Sequence, residues 1–243
     1  KHKLYSQIDK VRSPNSIISS NTSTIPLSIL TQEMSDSMKA DFCITHFFNP
    51  VRFMRLLEIV ETPTMNKDKI SSLRNFCQNE LGKGIVNCND TPGFIGNRIG
   101  VYAMQVAMYE ALERGLPVEI ADALFGRPLG IPKTGVFGLY DLIGIDLMKD
   151  VLASFKKELQ ENDPFMDVVK PHPLVEKLLE KGFNGNKGPG GFYQTTIVEG
   201  DEHVKAMNTS DMSYYDFDKV DLEIARRVET VSYTHLRAHE TYK

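Results

Sequence analysis

One histidine and one glutamate in this sequence have the residue types and the spacing that proton transfer requires. They are His46 and Glu58, within the stretch C-I-T-H-F-F-N-P-V-R-F-M-R-L-L-E-I-V. β-Branched and aromatic residues on both sides of a proline indicate two strands, Phe42 to Phe48 and Leu56 to Val60. If these strands pair, the carboxylate can fix the imidazole in one tautomer, and the imidazole can take a proton from an alcohol. The residues alone also allow a histidine with a purely structural role.

The segments around this pair alternate between helix and strand. Leu4, Ile8 and Val11 share one helical face, and the apolar run I-I-S-S that follows is typical of a strand. The pattern then predicts a helix from Pro26 to Met34, a helix over 66–81 and a strand from Gly84 to Cys88. Such alternation through residue 88 is typical of an α/β layer with a largely buried sheet.

A polar turn follows the first predicted strand. It contains Ser20, Asn21, Thr22 and Ser23, followed by a proline at the predicted start of a helix. Open α/β sheets bind ligands at the carboxyl ends of their strands, so we expect this turn to face a ligand. The other interpretation is that its hydroxyl groups cap the helix.

The pattern changes near Asp90, where D-T-P-G-F-I-G-N-R opens a helix that is predicted to reach Glu113. We therefore expect a partial α/β domain over 1–89 and a helical domain over 90–194. After these we expect a linker over 195–230 that includes one further helix (211–230), and a non-native tail over 231–243 that resembles translated sequencing-adapter DNA. Further helices are predicted from Glu119 to Leu124, Val136 to Ile143, Leu147 to Leu159 and Pro173 to Leu179.

Composition excludes several classes of protein. The chain has 243 residues, 41% of them hydrophobic, and a net charge of −4 without basic runs, which argues against nucleic acid as a partner. No apolar run approaches the ~18 residues that a membrane span needs. The three cysteines lack C-x-x-C spacing, so we expect reduced thiols in the cytoplasm and no metal site. The first residues lack a methionine and a secretory signal and start within an amphipathic pattern, which suggests a fragment.

Four motifs in one order carry a family resemblance. S-N-T-S, T-H-F-F-N-P-V, L-L-E-I-V and D-T-P-G-F-I-G-N-R, with K-G-P-G-G-F-Y at 187–193, resemble the 3-hydroxyacyl-CoA dehydrogenase family of fatty-acid β-oxidation over residues 1–194. The resemblance implies an α/β plus all-α fold: the C-terminal part of a Rossmann-like NAD-binding domain, then the family's helical C-terminal domain. N-R-I-G-V-Y-A-M and P-L-G-I-P-K-T look most like the large multifunctional members with a fused enoyl-CoA hydratase domain.

The resemblance also implies roles for individual residues in oxidising an acyl-CoA substrate with NAD. His46 resembles the catalytic base and Glu58 its carboxylate partner. Ser23 resembles the serine that binds the substrate near the cofactor, and Asn97 the asparagine that donates to the acyl group. Asn49 and Lys187 resemble positions that contact NAD. The helical domain would carry the contacts of a homodimer, or the chain would be part of a larger multifunctional one.

Two departures from the family pattern leave alternatives open. The sequence has no G-x-G-x-x-G turn and no ribose-binding acid after a first strand, which puts NAD affinity of the 243 residues in doubt. One alternative is therefore a non-catalytic, truncated dimerisation and acyl-CoA-binding module that cannot hold NAD by itself. Another is a different 3-hydroxyacid dehydrogenase with a catalytic lysine, although H-F-F-N-P argues against it.

Overall fold

The structure is a computed structural model that describes residues 1–23, 25–126 and 134–218. Two compact units, Lys1–Gly100 and Val101–Lys243, divide the chain. Most of the helix predicted over 211–230 and the whole of the predicted tail lie outside the described residues, as does most of the G-R-P-L-G-I-P segment. No helix of the described part is long and apolar enough to cross a membrane.

The first unit has a four-stranded mixed sheet with the strand order β1-β2-β3-β4. β1 is parallel to β2, β2 is antiparallel to β3, and β3 is parallel to β4. The predicted α/β layer is present. Its strands are β1 (Ile18–Ser20), β2 (Phe42–Phe47), β3 (Leu56–Glu61) and β4 (Gly84–Asn87), and its helices are α1 (His2–Val11), α2 (Leu27–Thr31), α3 (Asp36–Lys39) and α4 (Lys67–Asn79).

Strand register determines which polar groups meet. In the antiparallel pair, His46 on β2 lies directly opposite Glu58 on β3. In the parallel pair, Ser20 on β1 lies opposite Ile44 on β2. The carboxyl ends of β1 and β2 therefore lie at the same edge of the sheet, where both the polar turn and His46 are found.

Both faces of this sheet are buried. Phe42 and Ile44 contribute to one apolar cluster together with residues of α1, α2 and α3, whereas Cys43, between them, contributes to a second cluster with residues of α4. This alternation follows from the two-residue repeat of a strand. With helices on both sides, the sheet holds its strands, and the side chains at their ends, in fixed positions.

The next helix, α5 (Gly96–Glu113), starts later than the sequence predicts. The predicted start at Asp90 is wrong because Gly93 and Phe94 have positive φ angles of 74° and 49°. Residues in that left-handed conformation cannot belong to a right-handed helix. The backbone thus makes a turn before α5, and this turn sets the direction in which the first N–H groups of the helix point.

The second unit is mainly helical, as predicted. Its buried residues include Phe137, Tyr140, Phe155 and Phe192, and they form one apolar cluster. α8 starts directly after Gly144, which has a φ angle of 103°. The helices are α6 (Val118–Leu124), α7 (Phe137–Ile143), α8 (Ile145–Glu158) and α9 (Pro173–Glu180), with a 3₁₀ turn at Pro164–Asp167.

Residues that we expected to be a linker form an antiparallel sheet instead. It contains β5 (Tyr193–Val198), β6 (Asp201–Met207) and β7 (Tyr214–Asp216) in that order. The expectations of an irregular segment after 195 and of a helix from 211 are wrong over the residues described. The β-branched run T-T-I-V favours a strand, and Glu199 and Gly200, both with positive φ, form the two-residue connection to β6.

Candidate active site

A buried histidine and a buried glutamate face each other across β2 and β3. His46 Nδ1 lies 2.6 Å from Glu58 Oε2, a short charge-assisted contact. The Glu58 side chain is fully buried, and that of His46 is 7% exposed. The structure thus brings together the two side chains that the sequence places on adjacent strands.

The second oxygen of Glu58 is bound by the start of α5. Its Oε1 accepts hydrogen bonds from the backbone N–H groups of Ile95, at 2.9 Å, and Gly96, at 2.7 Å. Burial of the carboxylate opposes ionisation. The hydrogen bonds from His46 and from these two N–H groups outweigh it, so the pKa of Glu58 is lowered. Glu58 is therefore a fixed negative charge at neutral pH.

This arrangement sets the direction of the imidazole. An ionised carboxylate can only accept a hydrogen bond, so Nδ1 of His46 must be the donor in its contact with Glu58. The tautomer that we assign to His46 therefore carries its proton on Nδ1. The rings of Phe48 and Phe94 lie beside the imidazole, with centroid separations of 4.6 and 5.7 Å. No hydrogen bond engages Nε2 among residues 1–23, 25–126 and 134–218. Nε2 is thus the atom that can accept a proton from a bound alcohol.

The contact between Glu58 and α5 depends on a glycine. A Cβ atom at Gly96 would lie 2.5 Å from the ring of Phe48 and 3.5 Å from Glu58 Oε1. No side chain fits there without moving the phenylalanine ring. The sequence analysis did not identify the N–H groups of Ile95 and Gly96, and the one available signal was the second glycine in P-G-F-I-G-N.

A thiol also lies near this carboxylate. Burial, together with the negative charge of Glu58, raises the pKa of Cys88 to about 11. The thiol is therefore neutral at physiological pH and adds no second charge beside the glutamate.

Three of the four residues of the polar turn have structural partners. Ser20 accepts a hydrogen bond from Tyr5 OH at 3.0 Å, and Asn21 Oδ1 accepts one from Phe47 N–H at 2.8 Å. Thr22 Oγ1 accepts from the N–H of Ile25, which lies before α2, so this bond closes the turn and does not cap the helix. The N–H groups of Leu27 and Ser28, at the start of α2, donate to Asp90 instead. Ser23 has no hydrogen bond within the described part of the chain. Ser23 is therefore the one residue of the turn whose side chain has no hydrogen bond to a described residue, which leaves its hydroxyl available to a ligand.

The two predicted asparagines lie next to elements of the site. Asn97 directly follows Gly96 in α5 and is half-buried, and Asn49 is exposed just after β2. Neither side-chain amide makes a hydrogen bond to any described residue. Their roles with the acyl group and with NAD stay predictions.

Lys187 belongs to the second unit, in the glycine-rich segment before β5. Its Nζ lies 3.7 Å from Asp146 Oδ1, and both side chains are about half exposed, at 48% and 53%. A pair this exposed contributes little to stability. The contact between Lys187 and NAD also stays a prediction.

A buried lysine below the β2–β3 connection was missed by the sequence analysis. Lys83, 7% exposed, donates from Nζ to the carbonyl groups of Val51 and Met54, the latter at 2.8 Å. Its ammonium also lies 5.8 Å from the ring centroid of Phe47. Nothing in the local sequence pattern distinguishes it from a solvated lysine.

The donor groups at this edge of the sheet fit a nicotinamide cofactor. The Ser23 hydroxyl and the Asn49 amide follow β1 and β2, whose carboxyl ends lie side by side, and neither has a partner among the described residues. Neutral donors and acceptors of this kind match a carboxamide. No group of three or more histidine, cysteine or acidic side chains able to hold a metal occurs in the described residues.

Family models match most of the chain. The model described as "3-hydroxyacyl-CoA dehydrogenase, NAD binding domain" matches residues 1–91, and that described as "3-hydroxyacyl-CoA dehydrogenase, C-terminal domain" matches residues 93–195. The second match therefore ends within β5.

Curated relatives agree with these models. A protein of Rickettsia felis named "Putative fatty acid oxidation complex trifunctional enzyme" is 41% identical over 91% of this chain and 31% of its own length. A "Probable 3-hydroxyacyl-CoA dehydrogenase" of Bacillus subtilis is 37% identical over 80% of this chain and 24% of its own length. The chain thus spans about a third or less of these relatives.

Solved structures show the same fold. The crystal structure of Mycobacterium tuberculosis FadB2 has a TM-score of 0.68 and 28% identity, covering 80% of this chain and 66% of that one. The 3-hydroxybutyryl-CoA dehydrogenase of Escherichia coli K12 has a TM-score of 0.68 and 29% identity, covering 79% and 39%. With both family models matched in order, the chain belongs to the 3-hydroxyacyl-CoA dehydrogenase family.

Proposed function

We propose that the protein oxidises (S)-3-hydroxyacyl-CoA to 3-oxoacyl-CoA with NAD. The observation that carries this proposal is the buried contact between His46 Nδ1 and Glu58 Oε2 in a chain of this family. A base whose orientation and counter-charge are fixed is what removal of a hydroxyl proton requires. Family membership alone would not identify the residues involved.

In this proposal His46 is the general base. Its Nε2 accepts the proton of the 3-hydroxyl group, and the ring becomes an imidazolium. The ionised Glu58 then stabilises the new positive charge through Nδ1, as the carboxylate does in other histidine–carboxylate pairs. Because hydrogen bonds hold both oxygens of Glu58, the pair needs no rearrangement as the proton moves.

Neutral side chains complete the site. When bound, NAD supplies the acceptor for the hydride that leaves C3 of the substrate. Ser23 and Asn49 are the residues that would hold the nicotinamide end, and Lys187 is a further cofactor contact in this proposal. Asn97 would donate to the acyl group, and Ser23 would also bind the substrate. Uncharged groups suit the places of Ser23, Asn49 and Asn97 because a cation there would oppose the charge formed on His46.

The biological setting is part of the proposal. The name of the Rickettsia felis relative supports fatty-acid oxidation as the pathway, with this chain acting as a homodimer or within a larger multifunctional protein. All three cysteines, Cys43, Cys77 and Cys88, are free thiols, which favours the cytoplasm as the compartment.

Replacement of the base tests the proposal. In the complete gene product that contains these residues, His46→Gln should lower kcat for a 3-hydroxyacyl-CoA by about 10²-fold to 10⁴-fold. NADH formation is the readout. His203→Gln, a change at an exposed strand position, is the matched control and should leave kcat unchanged. Near-normal oxidation by the His46 variant would refute the proposed role.

A binding titration separates this function from the non-catalytic module. NADH fluorescence is followed as the cofactor is added to the purified 243-residue chain. Saturable binding that is weakened by Asn49→Ala contradicts a module unable to hold NAD. Absence of binding by a folded chain, with activity retained in the complete gene product, would support the module interpretation for these residues alone.

A further inference from the structure

The connection between β2 and β3 carries positive charge without negative charge. We call residues 49–55 the cationic loop: it has the sequence N-P-V-R-F-M-R, with Arg52 and Arg55 as its charged residues. No aspartate or glutamate occurs from Phe47 to Leu57. Both arginines are exposed, and neither forms a salt bridge with any described residue. The loop thus presents two cations that the first unit does not neutralise.

The same loop exposes large apolar side chains. Phe53 is 75% exposed, Val51 46% and Met54 40%. Arg52 lies over the ring of Phe53 at 6.0 Å from its centroid. An exposed apolar patch interleaved with cations is typical of a binding surface rather than of a solvated turn.

Lys83 holds this loop in shape. Its buried ammonium donates to the carbonyl groups of Val51 and Met54, on either side of Arg52. No acidic partner of Lys83 occurs in the described part of the chain, so the charge is compensated by peptide dipoles and by the ring of Phe47. A loop fixed in this way loses little entropy when a ligand binds.

The loop is also placed beside the reacting groups. It starts just after His46 and ends just before Glu58, and these two residues face each other across the strands that it joins. A substrate with its 3-hydroxyl at His46 must extend its remaining atoms over the neighbouring surface. The cationic loop is joined to His46 through the end of β2 and to Glu58 through the start of β3. It is therefore part of that neighbouring surface.

The chemistry of the loop matches the coenzyme part of the proposed substrate. Coenzyme A joins an extended, partly apolar pantetheine arm to a nucleotide that carries a pyrophosphate and a 3′-phosphate. Arginine is the residue best suited to bind phosphate oxygens in pairs. We propose that the cationic loop binds the nucleotide end of acyl-CoA, with Arg52 and Arg55 contacting its phosphates. This inference rests on the proposed function, since it names the part of the substrate that the loop recognises.

Two substrates that differ only in the nucleotide test the inference. The double variant Arg52→Gln/Arg55→Gln of the complete gene product is assayed with a 3-hydroxyacyl-CoA and with the matching 3-hydroxyacyl-pantetheine thioester. The KM for the CoA thioester should rise by about tenfold, the effect expected of two exposed ion pairs. The KM for the pantetheine thioester should stay at the wild-type value. The salt dependence of kcat/KM for the CoA thioester should also become weaker.

A second pair of exposed cations serves as the control. Lys3→Gln/Lys10→Gln on α1 changes the net charge equally and should leave the KM for both thioesters unchanged. Loss of affinity for both substrates alike in the arginine variant, or an equal loss in the lysine variant, would overturn the inference. A rise in the KM for NAD instead would assign the loop to the cofactor, and a change of oligomeric state on sedimentation would assign it to a second copy; either result overturns it.

The failure of this inference differs from the failure of the proposed function. A wild-type protein that oxidises both thioesters with equal KM contradicts only the role of the loop. One that oxidises neither thioester contradicts the proposed activity itself.

Discussion

Glu58 Oε2 lies 2.6 Å from His46 Nδ1, while the other oxygen of the same carboxylate is bound by two N–H groups at the start of α5. The two oxygens of Glu58 therefore have different roles. One orients the imidazole, and the other fixes the carboxylate and keeps it ionised. The positive end of the helix adds to this effect, because unpaired N–H groups at a helix start favour negative charge.

Removal of the Glu58 charge should slow proton transfer to His46. Glu58→Gln keeps the size of the side chain but supplies a neutral amide, which no longer stabilises an imidazolium at His46. We expect kcat to fall by about 10²-fold to 10⁴-fold, as in other histidine–carboxylate pairs, with a smaller change in KM. Steady-state NADH formation across a range of pH values provides the measurement.

The matched control lies on the same strand. Glu61 pairs with the partly or mostly exposed cations Lys67 and Arg74, so Glu61→Gln should change stability by no more than about 1 kcal/mol and leave kcat unchanged. Equal losses of kcat in the Glu58 and Glu61 variants would show that the effect is general destabilisation of the strand.

Two glycines of α5 should respond in opposite ways to alanine. In Gly96→Ala the new Cβ would lie 2.5 Å from the Phe48 ring, whereas a Cβ at Gly100 meets no atom within 4 Å. We expect Gly96→Ala to destabilise the protein by about 1–3 kcal/mol and to lower kcat by tenfold to 10²-fold, because Phe48 and the N–H donors of Glu58 must move.

Gly100→Ala, in the same helix, should instead stabilise the protein by up to about 1 kcal/mol, since alanine favours a helix. Thermal unfolding and kcat of both variants are measured in parallel. A Gly96→Ala variant as stable and active as Gly100→Ala would show that the Phe48 ring accommodates a methyl group freely.

The contact of His46 with Glu58 could be predicted because it is local in the chain. Two short strands joined by a proline turn place residues in register by simple alternation, and both strands were evident from their composition. The helices of the second unit followed in the same way from apolar periodicity and glycine stops. Motif order then supplied the family.

Other parts of the site could not be predicted, for identifiable reasons. The N–H groups of Ile95 and Gly96 are backbone atoms, and they reach Glu58 only because the backbone turns at Gly93 and Phe94. Lys83 has the sequence context of an ordinary surface lysine, and the loop above it determines its burial. The sheet after residue 193 was missed because most of β5 is exposed and lacks alternating burial.

Lys83 should contribute to stability through the cationic loop. Lys83→Met keeps a similar shape but leaves the carbonyl groups of Val51 and Met54 without their donor. We expect a loss of about 1–3 kcal/mol in the free energy of unfolding, the cost of leaving such groups unpaired. Lys67→Met, at a 75% exposed side chain, should cost less than about 1 kcal/mol. Denaturant unfolding compares the two, and equal effects would contradict a specific role for Lys83.

Two buried carboxylates in the second unit should make its stability depend on pH. Burial raises the pKa of Asp141 to about 7 and that of Asp122 to about 6, although backbone N–H groups bind both carboxylates. With an ordinary pKa of 3.8 in the unfolded chain, the folded unit binds more protons between about pH 4 and pH 7. Stability of this unit should therefore fall as pH rises through that window, by an amount on the order of a few kcal/mol.

Hydrogen exchange at the backbone amides of Phe192 and Tyr193, which donate to Asp141, measures this dependence directly. After correction for the intrinsic exchange rate, protection should be greater near pH 5 than near pH 8. Asp141→Asn, whose amide has no proton to lose in this pH range, should flatten the profile. Protection that instead increases towards pH 8 would mean that the N–H donors outweigh burial and that Asp141 is ionised throughout, as the lowered pKa of Glu58 illustrates in the first unit.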